Sequence, residues 1–417
     1  MELKPKAYDK IVQLVQKGVD IPNPLTLDIG EEVKSEHISG KGVRIYPGCR
    51  IYGKQTVIAS GAQLGREGPV TVEDCEIGPK VELKGGYFKK SVFLEKANMG
   101  FGAHVREGCI LEEEAGGAHC VGLKQTILFP FVTLGSLINF CDCLMAGGTS
   151  RKDHSEVGSS YIHFNFTPTG DKTTASLIGD VPRGVMLNQP AIFLGGQGGI
   201  VGPLRLGYGN VIAAGTVLRQ DITEENKLII GKPQRSGVVP RTPNAYFSLS
   251  RIVQNNYLYL ANLSALEAWY TDVRKGFFDG QEFGDLLYAG LLDKVGQARE
   301  ERIKRLKAMA EKMPKPGANA GSKESVSSGK REFAERVDQA CALFSNRSGT
   351  GAGADHRERF LSALGEHRRN NGGSYIEVVK SLPADISRAG TLWLENIVRG
   401  LSAQVGALFP SLDLFRK

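Results

Sequence analysis

No cysteine pair in this 417-residue chain has C-x-x-C or zinc-type spacing, and the seven cysteines are an odd number. Those absences exclude the common structural zinc modules and a paired disulfide framework, so a reducing, cytoplasmic compartment is expected, with no metal site. The start, Met-Glu-Leu-Lys-Pro-Lys, lacks the apolar core of a secretory signal. Long hydrophobic runs are missing too. The most apolar stretches, 127–141 and 392–408, are short or broken by Pro130, Gly135, Asn139, Glu395 and Arg399, so no membrane span is expected. Charge of one sign is not concentrated anywhere: the net +7 divides into +2 up to residue 245 and +5 beyond it. Without a basic arm, nucleic acid is not an expected partner, although a modest positive excess suits small phosphorylated ligands.

Glycine, by contrast, is abundant. Of 52 glycines, 35 lie in residues 1–245 and 17 in the remainder, without the every-third register of collagen. Residues 5–18 read as a short amphipathic helix carrying Ile11, Leu14, Val15 and Val19, ended by Pro-Asn-Pro. From about residue 40, branched aliphatics recur every six residues: Ile45, Ile51 and Val57; Ile77 and Leu83; Val105 and Leu111; Val121 and Ile127; Ile200, Leu206, Ile212 and Leu218. Small residues fall four places after many of them, as at Cys49, Cys109, Ala115 and Thr216. Such a period describes a coil of very short parallel strands, with each aliphatic pointing inward onto the one a turn below, small residues in crowded inner corners and glycines at the turns. The cysteines at 49 and 109 then read as small core residues.

This pattern resembles the left-handed parallel β-helix of hexapeptide-repeat acyltransferases. Three stretches are similar in particular to the acetyltransferase domain of the bifunctional glucosamine-1-phosphate acetyltransferase/N-acetylglucosamine-1-phosphate uridyltransferases. In the first, AHVREGCILEEEAGGAHCVGLK (103–124), Arg106 and Lys124 stand where that family binds substrate phosphate, a task suited to a guanidinium fork and a point charge. In the second, VGSSYIHFNFTPTGDKTTASLIGD (157–180), Gly158 and Ser159 match the family's Ile-Gly-Ala-Gly segment, Asn165 and Phe166 an Asn-aromatic pair in an extruded loop that in the family shapes the sugar and acetyl-coenzyme A sites, and Lys172 a lysine before Ile-Gly-Asp. The third, residues 200–235, resembles the family's final coils and its Gly-Lys-Pro-Gln-Arg exit. It implies cofactor contacts for Ala213, Ala214, Lys232 and Arg235, with Ser159 beside them.

Family catalysis uses a histidine as general base on the sugar amine. Here Ile-Asn-Phe-Cys-Asp-Cys-Leu-Met (138–145) puts Asp142, with Cys141 before it, near that point, and no histidine matches. His154 is the nearest alternative, in a stretch that reads as an extruded loop. Three readings stay open: Asp142 or His154 replaces the base in acetyl transfer; Cys141 acts as a nucleophile forming an acyl-enzyme; or the coil binds a sugar nucleotide or acyl carrier without chemistry. An insertion at 183–197 has no family counterpart and is expected to cover a neighbouring site. Residues 1–40 hold no Gly-rich nucleotide loop followed by Arg and no room for an α/β sheet, so the uridyltransferase half is not expected.

Near residue 245 the hexad stops and helical spacing begins: Leu260, Leu263, Leu266 and Tyr270; Phe333, Val337, Cys341 and Phe344; Trp393, Ile397, Leu401, Val405 and Leu408. The expected organisation is an N-terminal helix and lead-in (1–40), a mainly β domain, the left-handed parallel β-helix (41–240), a helical region (246–314), a flexible linker (315–330) and a C-terminal all-α region (331–417). EERIKRLK (300–307) reads as a solvated helix face. The expected activity is acetyl-CoA-dependent N-acetylation of an amino sugar phosphate or a nucleotide-linked amino sugar of the UDP-N-acetylglucosamine kind, by a homotrimer. The alternative is a non-catalytic trimeric scaffold whose C-terminal helices recruit a protein partner.

Overall fold

The computed structural model describes residues 4–232, 236–238, 240, 246–313, 324–345 and 353–415. Helix α1 (Tyr8–Lys17) packs Ile11 and Leu14 over the open end of a parallel β-solenoid and stops where Gly18 takes a left-handed conformation, its N–H turned back to Leu14 and Val15. The solenoid runs to Leu228–Ile229. Each coil contributes one short stretch of strand to each of three faces, and the strands of the faces pair in parallel with those one coil before and after them. On the first face the register passes through His104, Gly122, Asn139 and Ile162. The second passes through Val92, Ile110, Ile127, Leu144 and Leu177. The third passes through Asn98, Gly116, Thr133, Glu156 and Phe193.

Inward positions carry the hexad aliphatics at both ends of the solenoid, from Ile45 and Ile51 to Ile200, Leu206 and Ile212, all buried. In the middle the period slips. Leu123 and Leu128, five residues apart on one continuous strand, are the inward pair, whereas Val121 and Ile127 stand at a turn and on the outer side of the second face. The shortening happens at a corner where Gln125 adopts positive φ, one of a column that includes Lys90, Gly108 and Asp142. Ser91, Cys109, Thr126, Cys143 and Ser176 share one inner corner in register. All are buried, as the small-residue rule requires.

The second face is apolar on both sides. Val92, Ile110, Ile127 and Leu144 point away from the coil yet are fully buried, because the chain's own C-terminal helices lie over them. These helices follow α2 (Val181–Gly184): α3 (Leu249–Trp269), a π-turn (Tyr270–Arg274), α4 (Lys275–Phe278), α5 (Gly284–Ala310), α6 (Glu324–Ala342), α7 (Ala354–Asn371), α8 (Tyr375–Lys380) and α9 (Ala384–Leu408). Helix α5 lies along the second-face strands, while α9 packs on both α3 and α7 and α6 packs on α5. Helix α6 begins at Glu324, inside the stretch read as linker, and residues 315–323 of that stretch lie outside the described residues.

Charge reinforces the apolar contact. Lys294 meets Glu76 at 3.4 Å, Arg274 meets Glu113 at 2.5 Å and Arg302 meets Asp142 at 3.0 Å, each pairing a buried helix cation with an acid of the solenoid. Arg302 is 2% exposed, so the solvated face expected for 300–307 is corrected: its central arginine is a buried anchor. The 183–197 insertion, expected over a neighbouring site, starts within α2 and meets the helices instead. Met186 packs against Gly390, and Asn188 donates to Ser387 at 3.0 Å.

Candidate functional site

Strand alternation decides which side chains leave the first face. Along 103–106, 122–124 and 139–141, Ala103 and Val105, then Leu123, then Phe140 are packed inside, and the outward set is His104 and Arg106, then Gly122 and Lys124, then Asn139 and Cys141. Ile162 and Phe164 continue the wall. Arg106 and Lys124 therefore occupy one column on adjacent coils, tied by the Arg106 N–H bond to the Leu123 carbonyl at 2.8 Å, and Cys141 follows directly after Lys124.

Arg106 edges an open groove of about 450 Å³ lined also by His104, Cys120, Gly122, Leu137 and Asn139, with Lys124 and Cys141 next in its column. Gly122 makes its floor. A Cβ added there would have nothing nearer than 3.8 Å, so the missing side chain leaves space between His104 and Asn139. Tyr87 braces His104 edge-on from the coil below, ring centres 5.2 Å apart.

The electrostatics favour an anion. Lys124 Nζ lies 2.7 Å from Glu107. Burial, the largest single influence, would raise the Glu107 carboxyl, but the hydrogen bond from Lys124, a backbone hydrogen bond and the charges of Lys124 and Arg106 together hold the group below the usual carboxylate range. Arg106 has no carboxylate partner among the described residues. Cys141 is a protonated thiol: burial, then the neighbouring Asp142, push it up to about 11 against the pull of Arg106 and Lys124.

The three catalytic candidates do not converge. Asp142 sits at the corner between the first and second faces with φ 57°, and its carboxylate turns under α5 to Arg302. Burial raises its pKa against that cation. His154 belongs to a hairpin, Gly148–Ser150 with Asp153–His154, extruded at the corner between the second and third faces. There its Nδ1 lies 2.9 Å from the Arg151 carbonyl and its Nε2 3.8 Å from Glu156. His104 is the histidine that opens on the groove. Sequence reading passed over it, though its two-residue separation from Arg106 on a strand was a legible sign of a shared face. His163 points inward, hydrogen-bonded to Ser176 at 2.7 Å, and burial lowers it to about 4.

Asn165 and Phe166 follow Phe164 into a loop that leaves the first face and returns at Ser176, and Phe166 is 77% exposed. Lys172 lies on the returning side, its carbonyl accepting from Arg302 at 2.9 Å. The cofactor candidates share the corner between the third and first faces. Ser159 stacks below Gly196, whose carbonyl accepts from Gly215, and Ala213 and Ala214 make the same turn. Lys232 follows Gly231, whose N–H bonds Thr216 at 3.1 Å, while Arg235 lies outside the described residues. No cluster of three or more metal-ligating side chains occurs among the described residues, and none of their helices is long and apolar enough to cross a membrane.

No family model matches the chain. Among curated proteins, the bifunctional protein GlmU of Thermotoga maritima is 28% identical over 214 residues, which are 51% of this chain and 42% of that protein. The bifunctional protein GlmU of Trichlorobacter lovleyi is 28% identical over 224 residues, 54% of this chain and 43% of that protein. That of Carboxydothermus hydrogenoformans is 27% identical over 216 residues, 52% and 43% respectively. The chain spans less than half the length of these relatives. Their likeness and the observed β-solenoid fit a hexapeptide-repeat acetyltransferase domain, the resemblance that the repeats and motifs first suggested.

Proposed function

We propose that the solenoid is an acetyl-CoA-dependent N-acetyltransferase site for an amino sugar phosphate or nucleotide-linked amino sugar. The observation that carries this reading is the column of Arg106 and Lys124 beside a glycine-floored groove. A fork of guanidinium donors and a neighbouring ammonium suit a phosphate dianion, and the groove offers the sugar an amide at Asn139. The loop of Asn165, Phe166 and Lys172 then closes on the sugar or acyl group. The small residues around Ser159, Ala213 and Ala214, with Lys232, suit the passage of a long, phosphate-bearing thioester. In the transfer step the sugar amine attacks the thioester carbonyl to form the N–C bond, His104 takes the proton from the attacking nitrogen, the C–S bond breaks, and His104 passes that proton to the departing thiolate, so that coenzyme A is released as its thiol. With Asp142 committed to Arg302 and Cys141 protonated, His104 suits that role better than either. The helices already cover the apolar second face, so a homotrimer would form through the first and third.

A second reading, a binding scaffold without transfer, is favoured by the same buried pairing of Asp142 with Arg302, which removes a carboxylate from the wall. A thiol-release assay with acetyl-CoA and a panel of amino sugars and their phosphates separates the two. Release that Arg106→Ala and His104→Ala abolish supports transfer. No release from any acceptor, together with no coenzyme A binding by calorimetry, overturns it.

A further inference from the structure

We infer that Arg302 of α5 is a positioning residue for the candidate site: it fastens the extruded loop that carries Asn165, Phe166 and Lys172 to the coil that carries Cys141. The inference rests on the reading of that loop as part of the sugar site. At lower coils, the corner between the first and second faces is a single left-handed residue whose N–H bonds the coil beneath, as Gly108 does to Lys90 and Gln125 to Glu107. Above Asp142 this stacking stops. The chain departs after Phe164 and returns at Ser176, so no simple corner covers Asp142.

Arg302 fills that gap from outside. One terminal nitrogen lies 3.0 Å from Asp142 Oδ1, and the other donates to the Lys172 carbonyl at 2.9 Å and to Asn256 Oδ1 at 3.2 Å. Asn256 of α3 in turn donates to the next carbonyl, Thr173, at 3.1 Å. Further along the loop, Lys312 donates to the Thr169 carbonyl, the Thr173 hydroxyl to Met309 Sδ at 3.6 Å, and the Tyr246 hydroxyl to Asp171 at 2.8 Å. Among the described residues, the side chains bonded to the carbonyls of 169, 172 and 173 all come from beyond residue 245. The loop therefore takes its shape from the helical region, and a change in how α5 sits would reach the site without any contact to ligand.

Two variants separate positioning from folding. Arg302→Lys keeps a cation for Asp142 but loses the fork that also reaches the Lys172 carbonyl. Arg302→Met loses both. The readouts are amide hydrogen exchange at Gly170, Lys172 and Thr173, whose N–H groups are bonded within the loop or to its own side chains, and calorimetric binding and KM for glucosamine 1-phosphate. We expect both variants to speed exchange in the loop about ten-fold or more, with the coils before residue 86 unchanged. Sugar phosphate affinity should weaken and KM rise by a similar factor, with kcat within two-fold of wild type. Arg302→Lys should recover the melting temperature that Arg302→Met loses. If Arg302→Met does not fold, Asn256→Ala, which removes the link to the Thr173 carbonyl and leaves Arg302 its bonds to Asp142 and the Lys172 carbonyl, should still accelerate exchange at Thr173. Unchanged loop exchange in a folded variant overturns the inference. If the wild-type protein does not bind the sugar phosphate, the reading of the groove falls and the exchange measurement alone decides the role of Arg302.

Discussion

Lys294, fully buried in α5, holds its ammonium 3.4 Å from Glu76, an acid on the outer side of the second solenoid face. Gly290, one turn earlier, gives the carboxylate room, because a Cβ there would lie 2.8 Å from the Glu76 carboxyl carbon. Asp293 shares the same ammonium at 2.6 Å. Removing one partner of a buried pair leaves an uncompensated charge, so Lys294→Met should cost about 3–5 kcal/mol. The double variant Glu76→Leu/Lys294→Met should cost less than Lys294→Met alone. Urea unfolding followed by far-ultraviolet circular dichroism reads both, and equal losses would show that the two groups do not act as a pair.

The acids under the helices also set a pH dependence. Burial, against the pull of Lys294, raises Glu76 to about 7, and burial against the pull of Arg274 raises Glu112 to about 7. Glu112 also accepts from the Tyr270 hydroxyl at 2.5 Å. A folded-state pKa above the unfolded value of 4.5 means that the native protein binds more protons between roughly pH 4.5 and 7. Those two groups therefore lower stability as pH rises through that window. Unfolding free energies of wild type and Glu112→Gln, measured by urea titration from pH 5 to 8, should show a smaller fall in the variant, by an amount on the order of 1 kcal/mol. A variant with the wild-type slope would remove Glu112 as the source.

Thiol chemistry distinguishes the cysteines of the groove. Cys120 is exposed at its rim, whereas Cys49, Cys75, Cys109, Cys141, Cys143 and Cys341 are buried. Burial pushes Cys141 to about 11 and Cys109 to about 12. Iodoacetamide at neutral pH, followed by peptide mass spectrometry, should label Cys120 and spare Cys141 in the native protein. A sugar phosphate in the groove should slow labelling of Cys120. Rapid labelling of Cys141 would reopen the acyl-enzyme reading.

Gly122 separates fold from function most cleanly. Nothing lies within 3.8 Å of an added Cβ, and the position is on a strand, so Gly122→Val should change stability by no more than about 0.5 kcal/mol. The valine would stand in the groove between His104 and Asn139, and sugar phosphate binding should fall at least ten-fold. Arg106→Ala removes a charged donor instead, and a loss of about 10- to 100-fold is expected. Calorimetry measures both, and undiminished binding in the two variants would move the phosphate site elsewhere.

Much of the solenoid is legible in the sequence because its rule is local. An inward aliphatic every six residues and a small corner residue follow from stacking one coil on the next, so Ile200, Leu206 and Ile212 announce themselves. Arg106 and Lys124 become neighbours by the same rule, one coil apart. The slip at Leu123 and Leu128 is invisible to a fixed period, since it arises from a corner one residue shorter. Arg302 was hidden for a different reason. Its surroundings in the chain are charged, as on any wet helix, and the acid that buries it lies at position 142. Periodicity tells which side of an element is apolar, and it does not tell which distant element will cover it.

The register of the solenoid depends on the strand beneath and is indifferent to how much chain separates two strands. Ile162 pairs with Gly199 as closely as Gly122 pairs with His104, although about twice as many residues intervene. Each corner is thus a place where length can be added without disturbing the ladder. In this chain such additions include the 165–175 loop and the segment that opens with α2, and each ends against a C-terminal helix. Growth at the corners has given a repetitive rod the specific contacts by which it holds a non-repetitive partner within the same polypeptide.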